Sequence, residues 1–128
     1  MDVSQQNDCQ TLLDEIVRED SSAVFVCLST VDGNSYAHSG SRDDIKPERI
    51  AAMTSSLLSL SETLSNEASQ GKCAYNAIST EFGSIVTVRV VTKARLHVLS
   101  LCADLSTNMA MVMRLAFDTS EKLAKILD

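Results

Sequence analysis

Cys9, Leu12, Leu13, Ile16 and Val17 recur at i, i+3, i+4, i+7 and i+8, the spacing of one helical face. The polar run Glu19-Asp20-Ser21-Ser22 closes that helix. Ala23 to Thr30 is a short apolar stretch with β-branched and aromatic residues, which predicts a central strand buried on both faces. Asp32-Gly33 is a turn signal, because glycine permits positive φ. Ser35 to Ser39 then reads as a more polar strand near the sheet edge.

Lys46 precedes a proline and is pushed out of the helical region, while Pro47 suits a first helical position. Glu48 sits favourably beside the positive end of that helix. The pattern predicts a helix from Pro47 to Gln70, stopped by Gly71, with Ile50, Met53, Leu57, Leu60 and Leu64 as its core-facing stripe. Three strands follow. Cys73 to Thr80 is the first, and Glu81-Phe82-Gly83 turns. Ser84 to Val90 is the second, with Val86, Val88 and Val90 on one face. Arg95 to Leu101 is the third. Leu105, Met109, Val112, Ala116, Leu123 and Leu127 carry a last helix over Ser106–Leu127, flanked by Met113 and Ile126.

The order is α-β-β-α-β-β-β-α. Short connections make sequential strands antiparallel neighbours. Three helices cannot crowd one face of a five-stranded sheet, so both faces are expected to be covered. The fold class is α+β, with a flexible N-terminus over 1–8 and a single domain over 9–128. At 128 residues the chain is one ordinary domain, large enough to need neither disulfides nor metal.

A formal net charge of −6 and the lack of any basic cluster argue against nucleic acid and an anionic membrane surface. The polar N-terminus has no signal-peptide pattern, and no apolar run is long enough to span a membrane, so a cytoplasmic location is expected. Cys9, Cys27, Cys73 and Cys102 form no C-x-x-C pair and no zinc-ligand spacing. They read as reduced, buried small hydrophobes.

Catalytic motifs are equally scarce. Gly71-Lys72 has Asn66 five positions before the glycine and Cys73 after the lysine, so it is no phosphate-binding loop. There is no G-x-S-x-G nucleophile elbow. His38 and His97 are each a general base in principle, but His97 alternates with Leu96 and Val98 and its face depends on register. Asp43-Asp44 lacks the surrounding oxygens that a hard cation needs. No enzyme activity and no cofactor are expected.

The order of elements, with these residues, resembles the roadblock (dynein light chain) family, and most of all its bacterial branch that regulates Ras-like GTPases. The hairpin turning at Asp32-Gly33 is similar to the family's opening hairpin. Arg49 to Leu60, rich in Ala and Ser, is similar to its long second helix. The strands Ser84 to Val90 and Arg95 to Leu101, leading into a C-terminal helix, are similar to its ending. Asp104-Leu105-Ser106-Thr107 stands where members often carry a glycine.

The resemblance implies a homodimer whose surface docks a Ras-like small GTPase, as activator or scaffold. Ala52, Ser55, Ser56, Ser59 and Thr63 lie at helical spacing, and small residues let two backbones approach closely. They are the expected dimer interface, against the alternative of a solvated face. A GTPase activator can supply an arginine to the transition-state charge; Arg42 and Arg49 are the candidates by location. The alternative function is a small-molecule sensing domain of PAS, GAF or profilin-like type. An aromatic content of 4% leaves few rings to line such a pocket.

Overall fold

The computed structural model describes residues 3–40 and 42–128. The elements are α1 (Val3–Glu19), β1 (Ala23–Thr30), β2 (Ser35–Gly40), α2 (Pro47–Glu67), β3 (Tyr75–Thr80), β4 (Gly83–Val91), β5 (Leu96–Asp104) and α3 (Met109–Leu127). The five strands form one antiparallel sheet in the order β2-β1-β5-β4-β3. The α+β class and the element order are those expected.

One face of the sheet carries α1 and α3. Cys9 and Leu13 of α1 and Val112, Ala116 and Leu123 of α3 pack onto Val26, Leu28, Val86, Val88, Val90, Leu99 and Leu101. The β4 valines share this face because the side-chain period of a strand is two. The other face carries α2 alone, with Ala51 against Phe25 and Cys27 and with Ile45, Ile50 and Cys102 beside them. Being covered on both faces explains why β1 is apolar almost throughout. Gly83 opens β4 where a Cβ would lie 1.8 Å from the Ala103 carbonyl oxygen, so only glycine fits this close approach of β4 to β5.

Several boundaries differ from expectation, each for a local reason. The segment 1–8, expected to be flexible, is helical from Val3; Met1 and Asp2 lie outside the described residues. Gln5 Nε2 donates to Ile126 O at 3.3 Å and Gln6 Nε2 donates to Tyr36 O at 2.8 Å, which fixes a polar first turn that has no apolar periodicity. α2 ends at Glu67, before Gly71, because Ser69 takes the left-handed conformation (φ 57°) that closes a helix. α3 starts at Met109, with Asn108 accepting from the Met111 amide at 2.9 Å as its N-cap. That cap leaves Leu105 exposed outside the helix. β5 runs on to Asp104, three residues beyond Leu101.

The largest correction concerns the rotation of α2. Its sheet-facing residues are Ala51, Thr54 and Leu58. Met53, Leu60 and Leu64, three members of the stripe expected in the core, are 59%, 66% and 68% exposed, and Leu57 is half-buried. Thr54 is accommodated against the sheet by donating its hydroxyl to the Ile50 carbonyl at 2.7 Å.

Candidate interaction surface

The two edges of the sheet are treated differently. β2 is covered by α1: Gln10 donates to His38 O at 2.6 Å and accepts from His38 N at 3.2 Å, while Gln6 holds Tyr36 O. Side-chain amides thus occupy backbone groups that would otherwise template another strand. At the other edge, β3 is exposed along nearly its whole length and pairs on one side only, with β4, among the described residues.

The solvent side of α2 lies on one of the faces adjoining that open edge. Ser61 of α2 meets Asn76 of β3 at 2.8 Å. Glu62 pairs with Arg89 of β4 and accepts from the Cys73 amide at 3.2 Å, and Arg89 donates to the Cys73 carbonyl. The second half of α2 is therefore tied to the start of β3. Ile78 lies opposite Ile85, Ile85 opposite Cys102, and Cys102 opposite Phe25, which packs on α2. Ile78, 41% exposed, is thus on the α2 side of the sheet. An exposed apolar stripe on a helix and an unpaired strand edge occur together.

The five residues expected at a dimer interface flank this stripe. Ala52, Ser56, Ser59 and Thr63 are exposed, whereas Ser55 is half-buried and donates its hydroxyl to Val31 O. Ser55, Ser56, Ser59 and Thr63 line a groove of about 640 Å³ with Val31 and Leu96. Sequence reasoning missed the leucines beside them. Their helical periodicity was visible, but a stripe that regular reads as core.

Arg42 and Arg49 are both exposed, at the N-terminal end of α2. Arg42 grips Asp44 with Nε at 3.1 Å and Nη2 at 2.8 Å, and that bond holds the Asp44 carboxyl below its usual range. His38 is exposed on β2, and His97 is buried on the α1/α3 side. Cys9 and Cys27 are buried and Cys73 and Cys102 half-buried, so the expectation of four buried thiols holds for two of them. Burial pushes the thiols of Cys9 and Cys102 up to about 11. Among the described residues no group of three or more His, Cys, Asp or Glu side chains is placed to hold a metal ion, and no helix is long and apolar enough to cross a membrane.

No protein-family model and no curated protein sequence matches the chain. Solved structures do. Myxococcus xanthus MglB aligns with a TM-score of 0.83 at 17% identity, over 99% of this chain and 92% of that one. The chain has the roadblock fold. A structure described as MglB with tetrameric arrangement aligns at 0.82 and 18% identity, over 98% and 92% of the two chains. A Roadblock/LC7 domain from Streptomyces avermitilis aligns at 0.78 and 15% identity, over 92% and 96%. The roadblock topology accounts for the separation of one helix from two across the sheet, and hence for α2 having a free outer side.

Proposed function

We propose that this chain is a non-catalytic module that self-associates through α2 and β3 and, as a homodimer, binds and regulates a Ras-like small GTPase. The observation that carries the self-association is the pairing of an open β3 edge with the stripe of exposed Met53, Leu60 and Leu64 and half-buried Leu57, while the other edge is closed by glutamines. Large apolar side chains at regular spacing on one exposed helical face mark an interaction surface. Two copies meeting about a two-fold axis would pair β3 with β3 and cover both stripes at once. The small residues Ala52, Ser55, Ser56, Ser59 and Thr63 belong to the same side of the molecule and would admit a close helix approach. One MglB structure of similar fold is described as having a tetrameric arrangement, which supports the reading.

The GTPase is the partner that the roadblock resemblance implies. Arg42 and Arg49, both exposed, are the candidates to contact it; Arg42 would first release Asp44. Activator and scaffold use the same surface and differ in whether hydrolysis accelerates. The test is to mix the purified protein with Ras-like GTPases of its organism in both nucleotide states, measuring binding and hydrolysis. Saturable binding to one nucleotide state supports the reading. No binding and no rate change with any of them would overturn it.

A further inference from the structure

At the end of the sheet beyond the β1–β2 and β4–β5 turns lies a cleft that His97 and Tyr36 line, with Val31 and Leu96 on the rim it shares with the groove beside α2. It has two lobes, of about 590 and 180 Å³, which share Tyr36, Ala94, Arg95 and His97. The start of α1 and the end of α3 close it through Gln5, Gln6 and Leu127. The larger lobe has the size of a small-metabolite pocket.

His97 is 4% exposed, with its ring 5.4 Å from that of Tyr36 in edge contact. Its Nδ1 is buried with no hydrogen-bond partner among the described residues. Buried imidazole nitrogens are normally paired, so an orphaned Nδ1 on a residue that lines a cleft stands out. Burial first, and then the Arg95 charge, lowers its pKa and keeps the ring neutral, with one N–H to donate. Arg95 stands on the wall two residues earlier, and among the described residues its guanidinium has no ion-pair partner. The neighbouring polar side chains are already engaged. Gln5 and Gln6 hold backbone carbonyls, and Thr92 donates to Arg95 O at 2.6 Å. The carboxylate of Asp32, on the rim, accepts from the Thr30 hydroxyl at 2.5 Å. An imidazole and a guanidinium are left with donors to give.

We infer that this cleft binds a small oxyanion, a carboxylate or a phosphate ester, with Arg95 pairing its charge and the His97 imidazole donating to an oxygen. A guanidinium forks onto either group, and charge-assisted donors favour both. The site lies at the end of the sheet and shares Val31 and Leu96 with the groove beside α2.

The test follows the imidazole resonances of the full chain in long-range proton–nitrogen spectra at about pH 7.5, where a histidine of lowered pKa stays neutral. Sodium phosphate and sodium succinate are titrated separately at constant ionic strength, with sodium chloride as the reference. The His97 signals are expected to move saturably with phosphate, succinate or both, while those of exposed His38 follow the chloride reference. Phosphate alone identifies a phosphate ester as the class, and succinate alone a carboxylate. Arg95→Gln, on the surface, should weaken the apparent affinity about tenfold or more, the loss of a charge-assisted pair. No saturable shift with either anion, or an unchanged affinity in Arg95→Gln, would overturn the inference.

Discussion

Leu58 and Leu60 are two residues apart on α2, and the structure gives them opposite jobs. Leu58 is 4% exposed against the sheet, and Leu60 is 66% exposed. Truncating Leu58 to alanine should cost about 2–5 kcal/mol of stability, the usual penalty for a buried leucine. Truncating Leu60 should leave the single chain within about 0.5 kcal/mol of wild type. Its effect should appear in self-association instead. Burying a whole leucine side chain is worth roughly 2 kcal/mol, so covering the exposed two-thirds contributes about 1.3 kcal/mol in each copy. A two-fold dimer loses this twice, about 2.6 kcal/mol, which raises the dimer Kd about 70-fold at 1.4 kcal/mol per decade. Sedimentation equilibrium over a dilution series reads the Kd, and urea unfolding at low concentration reads the single chain. A wild-type dimer whose Kd moves less than about threefold in Leu60→Ala would refute the argument. So would a Leu60→Ala chain as destabilised as Leu58→Ala, since Leu60 would then be a core residue.

Further outcomes follow from the same geometry. Gln6→Ala with Gln10→Ala should uncover the β2 edge, costing about 1–3 kcal/mol in lost hydrogen bonds and producing species larger than a dimer in size-exclusion chromatography. Burial lowers the His97 pKa below 6.5, so the unfolded chain takes up that proton first. His97 therefore supports the fold fully above about pH 6.5 and less as the pH falls below it; the urea midpoint should drop less between about pH 7.5 and 5.5 in His97→Phe than in wild type. In alkylation at about pH 8, the thiols of Cys9 and Cys102, pushed up to about 11, hold a thiolate fraction near 10⁻³. Mass spectrometry should find half-buried Cys73 modified well before either of them.

The strands were legible because their chemistry is unambiguous. β1 keeps the bounds read from its apolar run, and Val86, Val88 and Val90 alternate onto one buried face. The rotation of α2 was not legible, because its most regular apolar stripe is not the one that meets the sheet. Ala51, Thr54 and Leu58 make a weaker pattern than Met53, Leu57, Leu60 and Leu64, and periodicity alone ranks the stripes in the wrong order. The helical start of α1 was hidden too. Its first turn is held by the Gln5 amide, which reaches backbone carbonyls more than a hundred residues away, and by Gln6 on Tyr36 O, and no local pattern records that. The small residues from Ala52 to Thr63 lie on the outer side of α2, apart from half-buried Ser55. The register that buries His97 followed only from pairing β5 with β1 and β4.

Hydrogen–deuterium exchange of the wild-type chain, compared above and below its association range, tests the α2–β3 surface most directly. Protection at high concentration should rise in Tyr75–Thr80 of β3 and in α2 and should fall on dilution, with β2 unchanged because Gln6 and Gln10 already occupy its edge. Exchange in β3 that is independent of concentration, or protection that appears on β2 instead, would contradict the account.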